Sequence, residues 1–189
     1  MGYSTYFDGS LEFNKPVGEQ LKEYINRFSS TRRMERDVEK IKEIYPNWKE
    51  LCFFGDLGEN GEYFAPISER YGQERDDDSI IDYNSSGIQP GLWCQWIITD
   101  ESELEWDGGE KFYNYIEWLE YLIENFFEPL GYKLNGVISW EGEETGDVGE
   151  IIVFDNKVTI KYCDDLALEK LSDEQLINEL VSRGYTVSK

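Results

Sequence analysis

Residues 132–162 read YKLNGVISWEGEETGDVGEIIVFDNKVTIKY, and their periodicity decides the fold. From Tyr132, every second residue (Leu134, Gly136, Ile138, Trp140) falls on one side of the chain. A two-residue period is that of a strand with one buried face. Glu150–Phe154 and Val158–Tyr162 are two further runs rich in β-branched and aromatic residues. The Asp155-Asn156 pair between them reads as a two-residue hairpin turn. Short turns between successive strands leave no room for a crossover, so this sheet is predicted to be antiparallel.

Working outward, Gly109–Glu128 carries Phe112, Tyr115, Ile116, Leu119, Leu122, Ile123 and Phe126 as one helical stripe. Asp107 is the expected N-cap, Glu110 its capping-box partner, and Pro129 with Gly131 the stop. Leu92–Thr99 reads as a strand that pairs with Glu103–Trp106. Residues 68–91 are a long polar loop interrupted by Ile80–Tyr83, and Glu62–Ile67 reads as a short strand. Helical spacing recurs from Val17 (Leu21, Tyr24, Ile25, Phe28) and over residues 34–45, where Pro46 ends it; residues 3–13 alternate as a first strand or short hairpin. The order predicts an α+β fold, a mainly antiparallel sheet with helices packed on one face. Residues 1–163 are expected to form a single domain, and 164–189 a helical tail in which Ser172 caps a short helix carrying Leu176, Ile177 and Leu180.

The chain has 189 residues, 15% of them aromatic, enough to build a core. Its net charge of −22 is unevenly placed. Residues 1–50 hold nine basic and nine acidic side chains; residues 51–155 hold four basic and 25 acidic. Such a surface repels a phosphate backbone, so direct nucleic-acid binding is not expected, and a basic protein partner is. Cys52, Cys94 and Cys163 are widely spaced and form no ligand or disulfide pattern, which reads as reduced thiols in a cytoplasmic protein. No membrane span is expected, because Glu117, Glu120 and Glu124 interrupt the most apolar segment.

There is no histidine, which removes Ser-His-Asp and Cys-His catalysis and His-ligated zinc. No phosphate-binding glycine loop occurs, and no cofactor is implied. Carboxylate chemistry remains, as a carboxylate-dependent hydrolase or a divalent-metal site. Asp76, Asp78 and Asp82 are the candidate metal ligands, in a loop whose commoner reading is a solvated one. Glu117, Glu120, Glu124 and Glu128 recur along one helix face, with no basic residue after Lys111 to pair with them. Four residues of helix rise about 6 Å, comparable to the spacing of phosphates along a DNA strand, so this row can imitate a nucleic-acid backbone. Glu143 and Glu144 extend it on the following hairpin. Trp118 and Tyr121 fall partly outside the apolar stripe and are candidate contact anchors, although most of the aromatic rings are expected in the core.

The strings IQPGLWCQW, EWDGGEKFYNYIEWLEYLIENFF and GYKLNGVISWEGE, with RRMERDVEKIKEIYPNWKELCFFGDLGENGEYF, resemble a family of proteins found in bacterial genomes and in phages or prophages, over residues 1–162. That family carries no assigned reaction, so the resemblance implies a phage-linked setting, in a host cytoplasm, and no catalytic residues. Members read Pro-Trp-Gly-Tyr where this chain has Pro129-Leu130-Gly131-Tyr132. Together these readings predict a non-enzymatic acidic binding protein, a nucleic-acid mimic acting on a host defence or DNA-processing protein. The alternatives are a small-molecule or metal-binding domain, with its pocket where the 68–91 loop meets the aromatic strands, and the hydrolase.

Overall fold

The structure, a computed structural model, describes residues 2–162. Among the described residues there are eight strands: β1 (Thr5–Phe13), β2 (Glu35–Arg36), β3 (Ile80–Asp82), β4 (Trp96–Ile98), β5 (Glu103–Trp106), β6 (Leu134–Gly142), β7 (Val148–Phe154) and β8 (Lys157–Tyr162). Six of them form one antiparallel sheet in the order β4-β5-β1-β6-β7-β8, while β2 and β3 pair separately. The predicted α+β arrangement is the one observed. The β7–β8 turn forms at Asp155-Asn156 with both residues at positive φ, the geometry that matches the twist of a two-residue hairpin.

One face of the sheet is dry. Leu11, Leu104, Leu134, Ile138, Trp140, Ile151 and Val153 point into a core shared with α1 (Glu19–Ser29) and α3 (Tyr115–Leu122). The helices contribute Leu21, Tyr24, Ile25 and Phe28 from one side and Trp118, Leu119, Leu122 and Phe126 from the other. A second, smaller cluster forms around Ile41 of α2 (Val38–Ile44) with Leu51, Leu57 and Phe64. The opposite face of the sheet carries Tyr6, Asp8, Ser139, Glu141 and Phe154 and is exposed among the described residues. An antiparallel sheet tolerates this because its side chains alternate between faces.

Several expectations need correction. The helix expected from Gly109 starts only at Tyr115. Lys111 and Asn114 both take positive φ, which no helix continues through, and the Asp107 carboxylate accepts from the Gly109 N–H in a local turn instead of capping a helix. Phe112 nevertheless reaches the core, so its helical spacing from Tyr115 was coincidental. Beyond Leu122 the chain continues as a π turn over Ile123–Phe127 and a short 3-10 segment, Glu128–Leu130, that ends at Gly131 with φ 70°. Glu62–Ile67 is no strand; Phe64, Ala65 and Pro66 are buried in irregular backbone. The strand expected over 92–99 is regular only at Trp96–Ile98. The expected C-terminal tail and Cys163 lie outside the described residues.

Candidate functional site

The candidate site is the outer face of α3 and its continuation. Amphipathic packing fixes the inner face: Trp118, Leu119 and Leu122 are fully buried. Glu117, Glu120, Glu124 and Glu128 are consequently exposed. In a straight α-helix an i→i+4 step overshoots one turn by 0.4 residue, so such a row drifts around the axis. The π turn at Ile123–Phe127 holds more residues per turn and offsets part of that drift. Glu120, Glu124 and Glu128 thus line one groove of about 420 Å³, closed on its far side by Lys157, Val158 and Thr159 of the outer strand β8.

The electrostatics of this groove are unbalanced. Among the described residues, none of the four glutamates makes an ion pair. The last turn of α3 holds no basic residue. Carboxylates toward a helix C-terminus face the negative end of the macrodipole, an unfavourable position for them and an attractive one for a cation. Lys15 offsets part of this at the far end, where its Nζ donates to the Leu130 carbonyl at 3.0 Å. Among the described residues, Lys157 is the one basic side chain lining the groove.

The basic residues of the N-terminal quarter, neutral on a charge count, are largely consumed by the fold. Arg27 donates to the carbonyls of Ala65 (2.6 Å) and Glu50 (3.0 Å), and Arg32 to that of Tyr83 (3.1 Å). Arg33 and Arg36 are both 1% exposed. Arg36 meets Asp77 at 2.6 Å, Ser79 Oγ at 2.9 Å and the Gly72 carbonyl at 2.5 Å. Burial alone would raise the Asp77 carboxyl, but hydrogen bonds from Ser79 and the charge of Arg36 outweigh it and hold Asp77 below the ordinary carboxylate range.

The structure brings together only part of the predicted site. Glu143 and Glu144 are exposed on the β6–β7 turn and do not line the groove of Glu120, Glu124 and Glu128. Tyr3 ties their turn to the segment before α3 instead: the Tyr113 hydroxyl accepts from the Tyr3 N–H at 3.1 Å, and the Tyr3 hydroxyl donates to Asp147 and accepts from the Glu144 N–H. Trp118 and Tyr121 are overturned as contact anchors, being 0% and 9% exposed. Trp118 packs edge-on against Phe28 and Tyr121, and the Tyr121 hydroxyl, raised by burial, accepts from Gln89. Tyr113 and Tyr162, 52% and 58% exposed, are the accessible rings near that end of the helix. Sequence reasoning treated α3 by itself and so missed the β8 side of the groove.

Asp76, Asp78 and Asp82 are exposed, and the structure does not gather them: among the described residues no group of three or more His, Cys, Asp or Glu is placed to hold a metal ion. Asp82 instead accepts from the Asn84 N–H. A shallow groove of about 490 Å³ lies on the 68–91 loop, lined by Glu69, Arg70, Tyr71, Gln73, Arg75 and Tyr83, with no lining residue from the aromatic strands. A cleft of about 350 Å³ opens between α1 and residues 47–54, lined by Tyr24, Arg27, Cys52, Phe53, Phe54 and Ile67 among others. Cys52 and Cys94 are buried free thiols, Cys94 pushed up to about 12 by burial, far from nucleophilic range at neutral pH.

No helix among the described residues is long and apolar enough to cross a membrane. Comparisons with protein-family models, with curated proteins and with solved structures give no match.

Proposed function

We propose that this chain is a non-enzymatic, acidic binding protein of phage or mobile-element type that acts in the host cytoplasm. It engages a basic host protein through Glu117, Glu120, Glu124 and Glu128, with Glu143 and Glu144 adding charge at the adjoining turn. The binding surface imitates a nucleic-acid backbone, and the partner is a defence or DNA-processing protein whose own phosphate-binding surface it occupies. One observation carries this reading: a run of exposed carboxylates along α3 and its continuation, none of which makes an ion pair among the described residues. Carboxylates kept only for solubility are ordinarily interspersed with lysine and arginine. The burial of Arg33 and Arg36 inside the fold removes two cations from the surface and strengthens the imbalance there.

The test is capture from host lysate on immobilised protein at low and high salt, with duplex DNA as competitor. The proposal expects a basic partner that salt releases and DNA displaces. A partner indifferent to both would overturn it.

A second reading has its own observation. The cleft beside α1 combines an apolar floor (Tyr24, Phe53) with the Arg27 guanidinium, features of a small-molecule site. A thermal-shift screen of anionic metabolites checks it, because a ligand bound only by the folded state raises Tm.

A further inference from the structure

Arg33 and Arg36 stand three residues apart, enter the same interior and are equally buried, yet only one has a counter-ion. Arg36 has Asp77 and two further acceptors. Arg33 makes no ion pair among the described residues; of its side-chain nitrogens only Nη2 is used, donating to the Phe64 carbonyl, while Nε and Nη1 have no partner. Its guanidinium lies 4.3 Å from the Phe28 ring centroid, and that ring contacts Trp118, whose buried Nε1 is also without a partner. Both residues adjoin the Gly91–Leu92 backbone: the Arg33 N–H donates to the Leu92 carbonyl, and a Cβ on Gly91 would lie 3.5 Å from Trp118 Nε1.

We infer that Arg33 binds a small monovalent anion of halide size, held against its Nε–Nη1 edge in the interior of the protein. The unpartnered atoms here are all donors, so what completes them is an acceptor. A water molecule would accept from them but would bring protons of its own and leave the charge uncompensated. An anion accepts from both free Arg33 donors and neutralises the guanidinium, whose isolation would otherwise carry a large desolvation cost. Burial lowers Arg33 only to about 10, so it stays charged at neutral pH and cannot resolve the imbalance by losing its proton. The surface carboxylates are no substitute, because solvent and salt screen exposed charges over about 10 Å. The site does not depend on the acidic groove; it is a separate property of the core.

Bromide is the probe. Crystals grown in sodium bromide are expected to show an anomalous peak within hydrogen-bonding reach of Arg33 Nε and Nη1. In solution, protein refolded at constant sodium concentration in bromide instead of gluconate is expected to gain about 5–10 °C in Tm once bromide exceeds its dissociation constant about 100-fold. Arg33→Met keeps the length of the side chain and removes the charge, and it is expected to lose that gain. Density for water without anomalous signal, or an equal Tm gain in Arg33→Met, would overturn the inference. Should Arg33→Met fail to fold, the bromide peak in the native protein decides alone.

Discussion

α1 and α3 pack on the same face of the same sheet and feed the same core, yet their outer faces are opposites. On α1, Lys22 lies 3.0 Å from both Glu19 and Asp100, and Arg27 in the last turn reaches two carbonyls, so its basic side chains are engaged within the fold. Glu117 in the first turn of α3 suits the helix dipole, but the glutamates that follow make no ion pair among the described residues and share their groove with a single basic side chain, Lys157. Core packing constrains only the inward stripe of each helix. The difference between their outer faces therefore reports a demand other than folding, and a charged row left unneutralised is where a partner's opposite charge gains most.

The inner stripes can be broken first, with the largest effect. Trp118→Ala is expected to destabilise the protein by about 3–5 kcal/mol in urea unfolding, since Trp118 is fully buried. An exposed anchor would leave stability nearly unchanged, so this measurement separates core from contact directly. Opening the Arg36–Asp77 pair, as in Arg36→Ala, strands a buried charge and is expected to cost about 3–5 kcal/mol. The sign of its pH dependence follows from the depressed Asp77 carboxyl. Stability from this group is full above the unfolded-state value of about 3.9 and is lost as pH falls through the lower folded value. Asp77→Asn should therefore flatten the acid limb of the stability profile relative to the native chain.

The outer faces sharpen the comparison with smaller effects. Neutralising Glu117, Glu120, Glu124 and Glu128 together to glutamine is expected to weaken partner binding about 100-fold, at about 0.7 kcal/mol per exposed charge pair. Glu124→Lys alone should stabilise the free protein by about 0.5 kcal/mol at low salt, by relieving repulsion and complementing the helix C-terminus. Lys22→Ala on α1 has the opposite sign, a slight loss, because its pairs with Glu19 and Asp100 disappear. Thermal unfolding at low and high ionic strength checks both, and both effects should shrink in salt.

The sheet was legible because strand periodicity is local: the alternation from Tyr132 and the Asp155-Asn156 turn needed no tertiary information. The start of α3 was not, because Phe112 satisfied a helical spacing that the positive φ at Lys111 and Asn114 rules out. The exposed row was legible in the spacing of its glutamates. The burial of Trp118 and Tyr121 was not, since rings at the margin of a stripe are buried or exposed according to what packs beside them, here Phe28 of α1. A charge count could not reveal that Arg33 and Arg36 lie inside, because the carbonyls and the Asp77 that receive them come from distant loops.

The most direct test compares two variants of equal net charge. One carries glutamine at Glu117, Glu120, Glu124 and Glu128; the other carries it at Glu43, Glu59, Glu69 and Glu101, which are also exposed but scattered along the chain. Affinity for the captured basic partner is measured at low salt for both. The α3 variant is expected to lose about two orders of magnitude while the scattered variant stays close to the native chain. Equal losses in the two would show that bulk charge, not the row on α3, draws the partner.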